Sequence, residues 1–257
     1  MSNEAVENER PIVASEAEVV PTGVPGRTKS ERVRAMFARI VGRYDLMNAV
    51  MTGGMHRRWR SAAARAAAPV GQAVLDVGTG TGDLALALAH GGAHTVIGVD
   101  FCEEMLPIAR AKARSNGCGP AVSFLVGDAM HLPFPDGSFD RVVNGFLLRN
   151  VANLPSALAE MNRVLKPGGR LVCLEITHPP PAHAPLFHLY FGRVVPILGA
   201  VIAGEPDAYR YLPESLRPLP DARRLAELLV DVGMVDVRFR RLGLGTVALH
   251  VATRRLM

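Results

Sequence analysis

Apolar residues recur along this chain with two different periods. Short apolar runs at Ala73–Leu75, Thr95–Val99, Val122–Val126, Phe139–Asn144 and Arg170–Ile176 predict buried strands. Between them lie helical patterns at Leu84–Ala89, about 103–115 and 154–165. In the last of these Leu154, Leu158, Met161 and Leu165 share one face, and Lys166-Pro167-Gly168-Gly169 then turns into the fifth strand. A helix over about 221–232 and strands near 235–242 and 246–253 finish the chain. This alternation predicts an α/β fold: a Rossmann-like, doubly wound, seven-stranded and mostly parallel sheet. Ligands then sit at the carboxyl ends of the strands, where Gly78, Asp100, Asp128 and Asn144 fall.

Two segments do not belong to this alternation. Ser30 reads as an N-cap before Val33, Met36, Phe37, Ile40 and Val41, which fall at helical spacing. A Met-rich stretch to Met51, the turn Gly53-Gly54 and an Ala-rich helix to about Ala68 follow, so 29–68 reads as a helical cap. The second segment, 178–220, opens with His178-Pro179-Pro180-Pro181 and carries the apolar run Leu186–Ile202. Arg193 and Pro196 interrupt that run, so it is not read as a membrane span. It fits either a buried helical hairpin or a lid over a greasy substrate that touches a membrane surface. Residues 1–28 carry five glutamates and prolines without an apolar signal region and read as a disordered tail. That leaves 29–257 as a single domain.

The chemistry starts at Val74–Asp83, V-L-D-V-G-T-G-T-G-D. A strand runs into Asp76, three glycines follow at Gly78, Gly80 and Gly82, and a helix begins. Glycine lets backbone approach a ligand closely, and the helix start offers free N–H groups. Asp100, at the tip of the second strand, is spaced to hold ribose hydroxyls. A dinucleotide fingerprint needs G-x-G-x-x-G, and Asp83 stands where its third glycine belongs. The spacing G-x-G-x-G between Asp76 and Asp83 instead resembles the nucleotide loop of class I S-adenosylmethionine-dependent methyltransferases. That cofactor has a zwitterionic end and a sulfonium cation, which acidic neighbours suit. A carboxylate at the third strand tip, Asp128, can accept an adenine amino group, and Ala129 offers a backbone N–H. The fourth strand ends in Asn144-Gly145-Phe146 without the diproline turn typical of enzymes that methylate amino nitrogens.

The chain has 257 residues, 49% of them hydrophobic, and a formal net charge of +5. That surplus is too small to argue for nucleic acid. Cys102, Cys118 and Cys173 are scattered, which suits a reducing compartment and provides no metal site. His56-Arg57-Arg58 fits a solvated basic turn or a contact to anionic lipid.

From about Val33 onward the chain resembles the ubiquinone/menaquinone biosynthesis C-methyltransferases. The resemblance rests on R-Y-D-L-M-N at Arg43–Asn48, G-x-H-R-x-W-R at Gly54–Arg60 and D-V-G-T-G-T-G-D from Asp76. V-D-F at Val99–Phe101, G-D-A-x-x-L-P-F from Gly127, L-R-N at Leu148–Asn150 and R-V-L-K-P-G-G-R from Arg163 add to it. So do Tyr209-x-Tyr-Leu-x-x-Ser and the A-x-H at Ala248–His250. It implies methyl transfer from S-adenosylmethionine to a ring carbon of a polyprenylated quinol, such as demethylmenaquinol. Carried over by position, cofactor contacts fall on Thr81, Asp100, Asp128 and Ala129, with Asp76, Gly78, Gly80, Phe101, Asn144 and Gly145 around them. Tyr44, Arg149 and Asn150 fall where the acceptor ring belongs. Arg149 would stabilise a phenolate, with water, Tyr44 or His250 relaying the proton. The family pattern F-G-L-R-N is broken here by Leu147, Gly145 replaces a common hydroxyl residue, and Ile176-Thr177-His178-Pro179 varies the usual Phe-Ser-Lys-Pro. The resemblance also implies a cytoplasmic enzyme working at the inner face of the membrane, and leaves a homodimer open. A methyltransferase for another apolar molecule, a nicotinamide oxidoreductase and a non-catalytic scaffold are the alternative readings.

Overall fold

A computed structural model describes residues 28–198, 211 and 213–256. The expected tail falls outside these residues except for Thr28, as do Tyr209, Leu212 and the end of the apolar run. The elements are α1 (Lys29–Ile40), α2 (Tyr44–Thr52), α3 (Met55–Ala67), β1 (Ala73–Val77), α4 (Asp83–His90), β2 (Thr95–Asp100) and α5 (Leu106–Ser115). Then come β3 (Val122–Val126), β4 (Phe139–Gly145), α6 (Leu154–Val164), β5 (Leu165–Ile176), α7 (Ala184–Leu189) and a π-helical turn (Tyr190–Val194). The last elements are α8 (Val195–Leu198), α9 (Ala222–Asp231), β6 (Met234–Leu242) and β7 (Val247–Arg254).

Seven strands hydrogen-bond in the order β3-β2-β1-β4-β5-β7-β6. β1 to β5 run parallel, and β7 enters antiparallel between β5 and β6. The sheet order reverses between β1 and β4, so the loops after these strands open a crevice there. Both faces of the sheet are covered, as a parallel sheet requires. One layer joins α6 and α9 to the sheet through Leu158, Met161, Leu225 and Leu229. The other joins α3, α4 and α5 through Ala63, Leu88, Leu106 and Ala109. Lys166–Gly169 is not a simple turn before β5 but a bulge within it. Leu165 pairs with Phe139, and pairing resumes at Arg141 with Arg170.

A third, smaller cluster lies away from the sheet. Met36, Ile40 and Met47 of the cap pack with Val195, and Phe37, Tyr44, Met51, Tyr190 and Phe191 surround them. The Tyr190 hydroxyl donates to the Met51 carbonyl at 2.6 Å. The cap and the insert therefore form one roof. Helix α1 starts two residues earlier than Ser30 would place it. Thr28 Oγ1 accepts the Glu31 N–H and Glu31 Oε2 accepts the Thr28 N–H, a reciprocal capping box.

Candidate active site

Two cavities meet above the carboxyl ends of β1 and β4. The first is lined by Gly78, Gly80, Asp100, Phe101, Asp128 and Ala129, with Gly145 at its far wall. The second, about 500 Å³, is walled mainly by apolar side chains of α1, α2 and α7, with Arg149 and Tyr211 among them. Phe37, Tyr44, Phe146 and Asn150 line both and mark the junction.

The loop side of the first cavity is built from backbone. Gly78 and Gly80 have φ of 71° and 54°, conformations that favour glycine. A Cβ at Gly78 would stand 2.7 Å from Leu147 Cδ1, so the loop tolerates no side chain there. Asp100 shapes the loop: its Oδ2 accepts the Gly80 N–H at 2.6 Å and its Oδ1 accepts the Cys102 N–H at 2.8 Å. Burial raises the Asp100 carboxyl, and these hydrogen bonds oppose that rise. Asp128 Oδ1 accepts the Met130 N–H at 2.9 Å. Behind the loop, Asp76 is fully buried. Its Oδ2 accepts the Thr79 hydroxyl at 2.7 Å, and its Oδ1 has no partner among the described residues. Burial pushes this carboxyl up to about 7. Asp76 lines neither cavity, so it supports the glycine loop from behind and is not the cofactor contact expected of it. The free lone pairs of Asp100 fit paired hydroxyls.

At the junction, Phe146 follows β4 with φ of 61°, a strained backbone for a residue with a side chain. Its ring lies against Trp59, centroids 6.4 Å apart, with the Arg60 guanidinium 5.9 Å from its centroid. The strain turns the chain so that Arg149 and Asn150 face the apolar cavity. Arg149 Nη1 donates to Glu175 Oε1 and to the Phe146 carbonyl, both at 2.7 Å. Glu175 is 1% exposed. Asn150 Nδ2 donates to the Phe146 carbonyl at 3.3 Å, and Asn150 Oδ1 accepts the Tyr211 hydroxyl at 3.3 Å. Burial pushes the Tyr211 phenol up to about 12, which makes it a donor rather than a base.

Three further residues expected at the site lie elsewhere. His250 is 1% exposed on β7, its ring stacked on Phe239 and its Nε2 2.7 Å from the Ala222 carbonyl. It faces α9 and lines neither cavity, so it relays no proton to an acceptor there. Asn144 turns into the core beneath α6, with Nδ2 3.0 Å from Cys173 Sγ and 3.4 Å from Met161 Sδ. The strand's alternation gives its neighbour Gly145 to the cavity instead. Thr81 is 2% exposed; its hydroxyl donates to Asp45 Oδ1 at 2.7 Å and accepts from Lys112 Nζ at 3.0 Å. Its role is to join elements, and it does not line the cofactor cavity.

The site also uses Phe146, Phe37 and Glu175, to which the sequence analysis assigns no role. Glu175 had a signal, since an acidic residue inside the apolar run Val172–Ile176 demands a buried partner. The two aromatics had none, because each fits an ordinary core position. Among the described residues no cluster of His, Cys, Asp and Glu could hold a metal ion, and no helix is long and apolar enough to cross a membrane.

This strand order, with a glycine cradle and acidic strand tips at the switch point, defines an S-adenosylmethionine-dependent methyltransferase. The chain matches the model of the ubiE/COQ5 methyltransferase family over residues 26–254 and belongs to that family. A demethylmenaquinone methyltransferase of Thermus thermophilus is 46% identical over 85% of this chain and 100% of its own length. A ubiquinone/menaquinone biosynthesis C-methyltransferase of Paracoccus denitrificans is 42% identical over 88% of this chain and 92% of its own. Among solved structures, a SAM-dependent methyltransferase of Thermotoga maritima superposes with a TM-score of 0.63 at 21% identity, covering 87% of this chain and 100% of that one. Family membership sets the nicotinamide oxidoreductase reading aside.

Proposed function

We propose that this chain methylates a ring carbon of a polyprenylated quinol, converting demethylmenaquinol to menaquinol or acting on the corresponding benzoquinol. The carrying observation is the pair of cavities, one holding the glycine loop and the acidic strand tips and one larger and apolar, that share Phe37, Tyr44, Phe146 and Asn150. The relatives named for demethylmenaquinone support the naphthoquinol. The domain is read as 29–257, with 29–68 as a cap and 178–220 as the substrate-covering insert.

S-adenosylmethionine supplies an electrophilic methyl on a sulfonium when bound. Gly78, Gly80, Asp100, Phe101, Asp128 and Ala129 would hold it, with Asp76 behind them. The remaining chemistry falls to the acceptor side. A ring carbon is a weak nucleophile until an adjacent hydroxyl loses its proton, and a free phenol has a pKa of about 10. A guanidinium beside the oxygen favours the phenolate. Arg149 is the candidate; Glu175 and the Phe146 carbonyl engage its Nη1, and among the described residues its Nε and Nη2 have no hydrogen-bond partner. Arginine is too basic to take the proton, so with His250 away from the site a water or Tyr44 relays it. Phe37 and Phe146 hold the ring at the junction, excluding water and limiting its orientation.

Val50 and Met55 of the cap and Leu186 of the insert are exposed and line the apolar cavity, and Arg57 and Arg58 follow Met55 on α3. This rim suits entry of a prenyl tail from the surface of an anionic bilayer.

The direct test is incubation of the purified chain with S-adenosylmethionine and a tail-less 1,4-naphthoquinol, followed by mass analysis. A C-methylated quinol is expected, and an O-methylated product would overturn the reading. Asp100→Ala should weaken S-adenosylmethionine binding by about 1–3 kcal/mol, the scale of hydrogen bonds to a charged group. Calorimetry that finds unchanged affinity would remove Asp100 from the cofactor site.

A further inference from the structure

The cap meets the cofactor loop through one polar network that the methyl-transfer chemistry does not use. Lys112 on α5 donates to Asp83 Oδ1 at 2.6 Å and to Thr81 Oγ1 at 3.0 Å, and its Nζ lies 2.6 Å from Asp45 Oδ2. Thr81 in turn donates to Asp45 Oδ1 at 2.7 Å. Arg60 of α3 completes the network on Asp83 Oδ2 at 3.1 Å. Both oxygens of Asp45 are thus engaged, one by the cofactor loop and one by α5. Asp45 is the residue after Tyr44, at the start of α2. The Tyr44 ring lies over the loop, with Cε1 3.9 Å from where a Gly80 Cβ would stand. Tyr44 lines both cavities.

We propose that Lys112 is a positioning residue: through Asp45 and Thr81 it locks α2 onto the glycine loop and so sets Tyr44 between cofactor and acceptor. A carboxylate gripped from two sides fixes the helix start in translation and in rotation, which one hydrogen bond would not do. The same grip ties the loop carrying Thr81 to the wall of the acceptor cavity. Order imposed on the loop by a bound cofactor is then passed to Tyr44, and binding of the two substrates is coupled. The side chains of Lys112, Asp83 and Asp45 keep 25%, 29% and 39% of their exposure. Ion pairs this accessible contribute little to stability, so the network serves geometry more than folding.

The choice of acceptor rests on the quinol reading, and the experiment keeps the two apart. Wild type, Lys112→Met and Lys112→Arg are compared with S-adenosylmethionine and tail-less 1,4-naphthoquinol, alongside calorimetric affinity for the cofactor alone. Lys112→Met should raise KM for the quinol and lower kcat by about tenfold each. Its affinity for S-adenosylmethionine alone should stay within about threefold, and its Tm close to wild type. Lys112→Arg should recover most of the loss. Combined with Tyr44→Ala, which deletes the ring, Lys112→Met should add little, since both act through that ring. Wild type inert toward quinols would overturn the quinol reading. The network would then be judged on cofactor affinity measured with and without quinol, where Lys112→Met should abolish any difference. An active wild type with unchanged Lys112→Met kinetics, a loss fully additive with Tyr44→Ala, or a loss matched by a fall in Tm would overturn the positioning role.

Discussion

Arg149→Gln is expected to lower kcat about 10²–10³-fold at neutral pH, the usual consequence of losing one donor aimed at a developing oxyanion. The interaction strengthens toward the transition state, so the loss should appear in kcat more than in KM. The deficit should shrink as pH rises toward the quinol's own pKa, where solvent removes the proton without help. Arg149→Lys keeps the charge but not the planar fork and should recover only part of the rate. The pairing with Glu175 sharpens this test. Glu175 is buried, and stripping its partner leaves an uncompensated charge that costs about 3–5 kcal/mol of stability. Arg149→Gln alone therefore mixes a folding effect with a catalytic one. Replacing both residues, Arg149→Gln with Glu175→Gln, removes the stranded charge and should restore Tm. If the double variant stays slow with a wild-type Tm, Arg149 acts on the acceptor. If it regains activity along with stability, or its deficit is flat from neutral to high pH, Arg149 only anchors the loop after β4.

The second large effect concerns the prenyl tail. Leu186 and Phe191 line the apolar cavity beside Tyr190, and Leu186 is 65% exposed. Removing either should raise KM for a long-chain quinol about 10–100-fold, because burying a Leu or Phe side chain is worth roughly 1.5–3 kcal/mol. KM for a tail-less quinol should stay within about twofold. Phe187 is a poorer probe, although it lines the same cavity. It is 7% exposed and belongs to the α6–α9 layer, so Phe187→Ser should cost about 3–5 kcal/mol of stability as well. Equal KM changes for both acceptors in Leu186→Ala and Phe191→Ala would mean that the insert is packing alone and does not touch the tail.

How far the chain could be read varies with the range of the interaction. The strands, the glycine loop and the acidic tips at Asp100 and Asp128 follow from local periodicity and spacing, and all stand close to where those rules put them. The first turn of α1 is a near miss of the same kind: Ser30 and Thr28 can both cap, and Glu31 selects Thr28 by closing the box from three residues away. The larger departures fall where a polar residue can serve either a ligand or the protein. Thr81 goes to Asp45 and Lys112, Asn144 to Cys173 and Met161, and His250 to Ala222, each through a partner distant in sequence.

The sequence by itself determined the sheet, the cradle at Gly78–Gly82 and the apolar character of cap and insert, because alternation, glycine spacing and hydropathy are local properties. Only the tertiary structure decided that cap and insert close over one cavity, that Glu175 lies under Arg149, and that His250 faces α9. Each depends on which layer covers which face of the sheet. That is settled by packing between segments as far apart as Met51 and Tyr190, which no local pattern encodes.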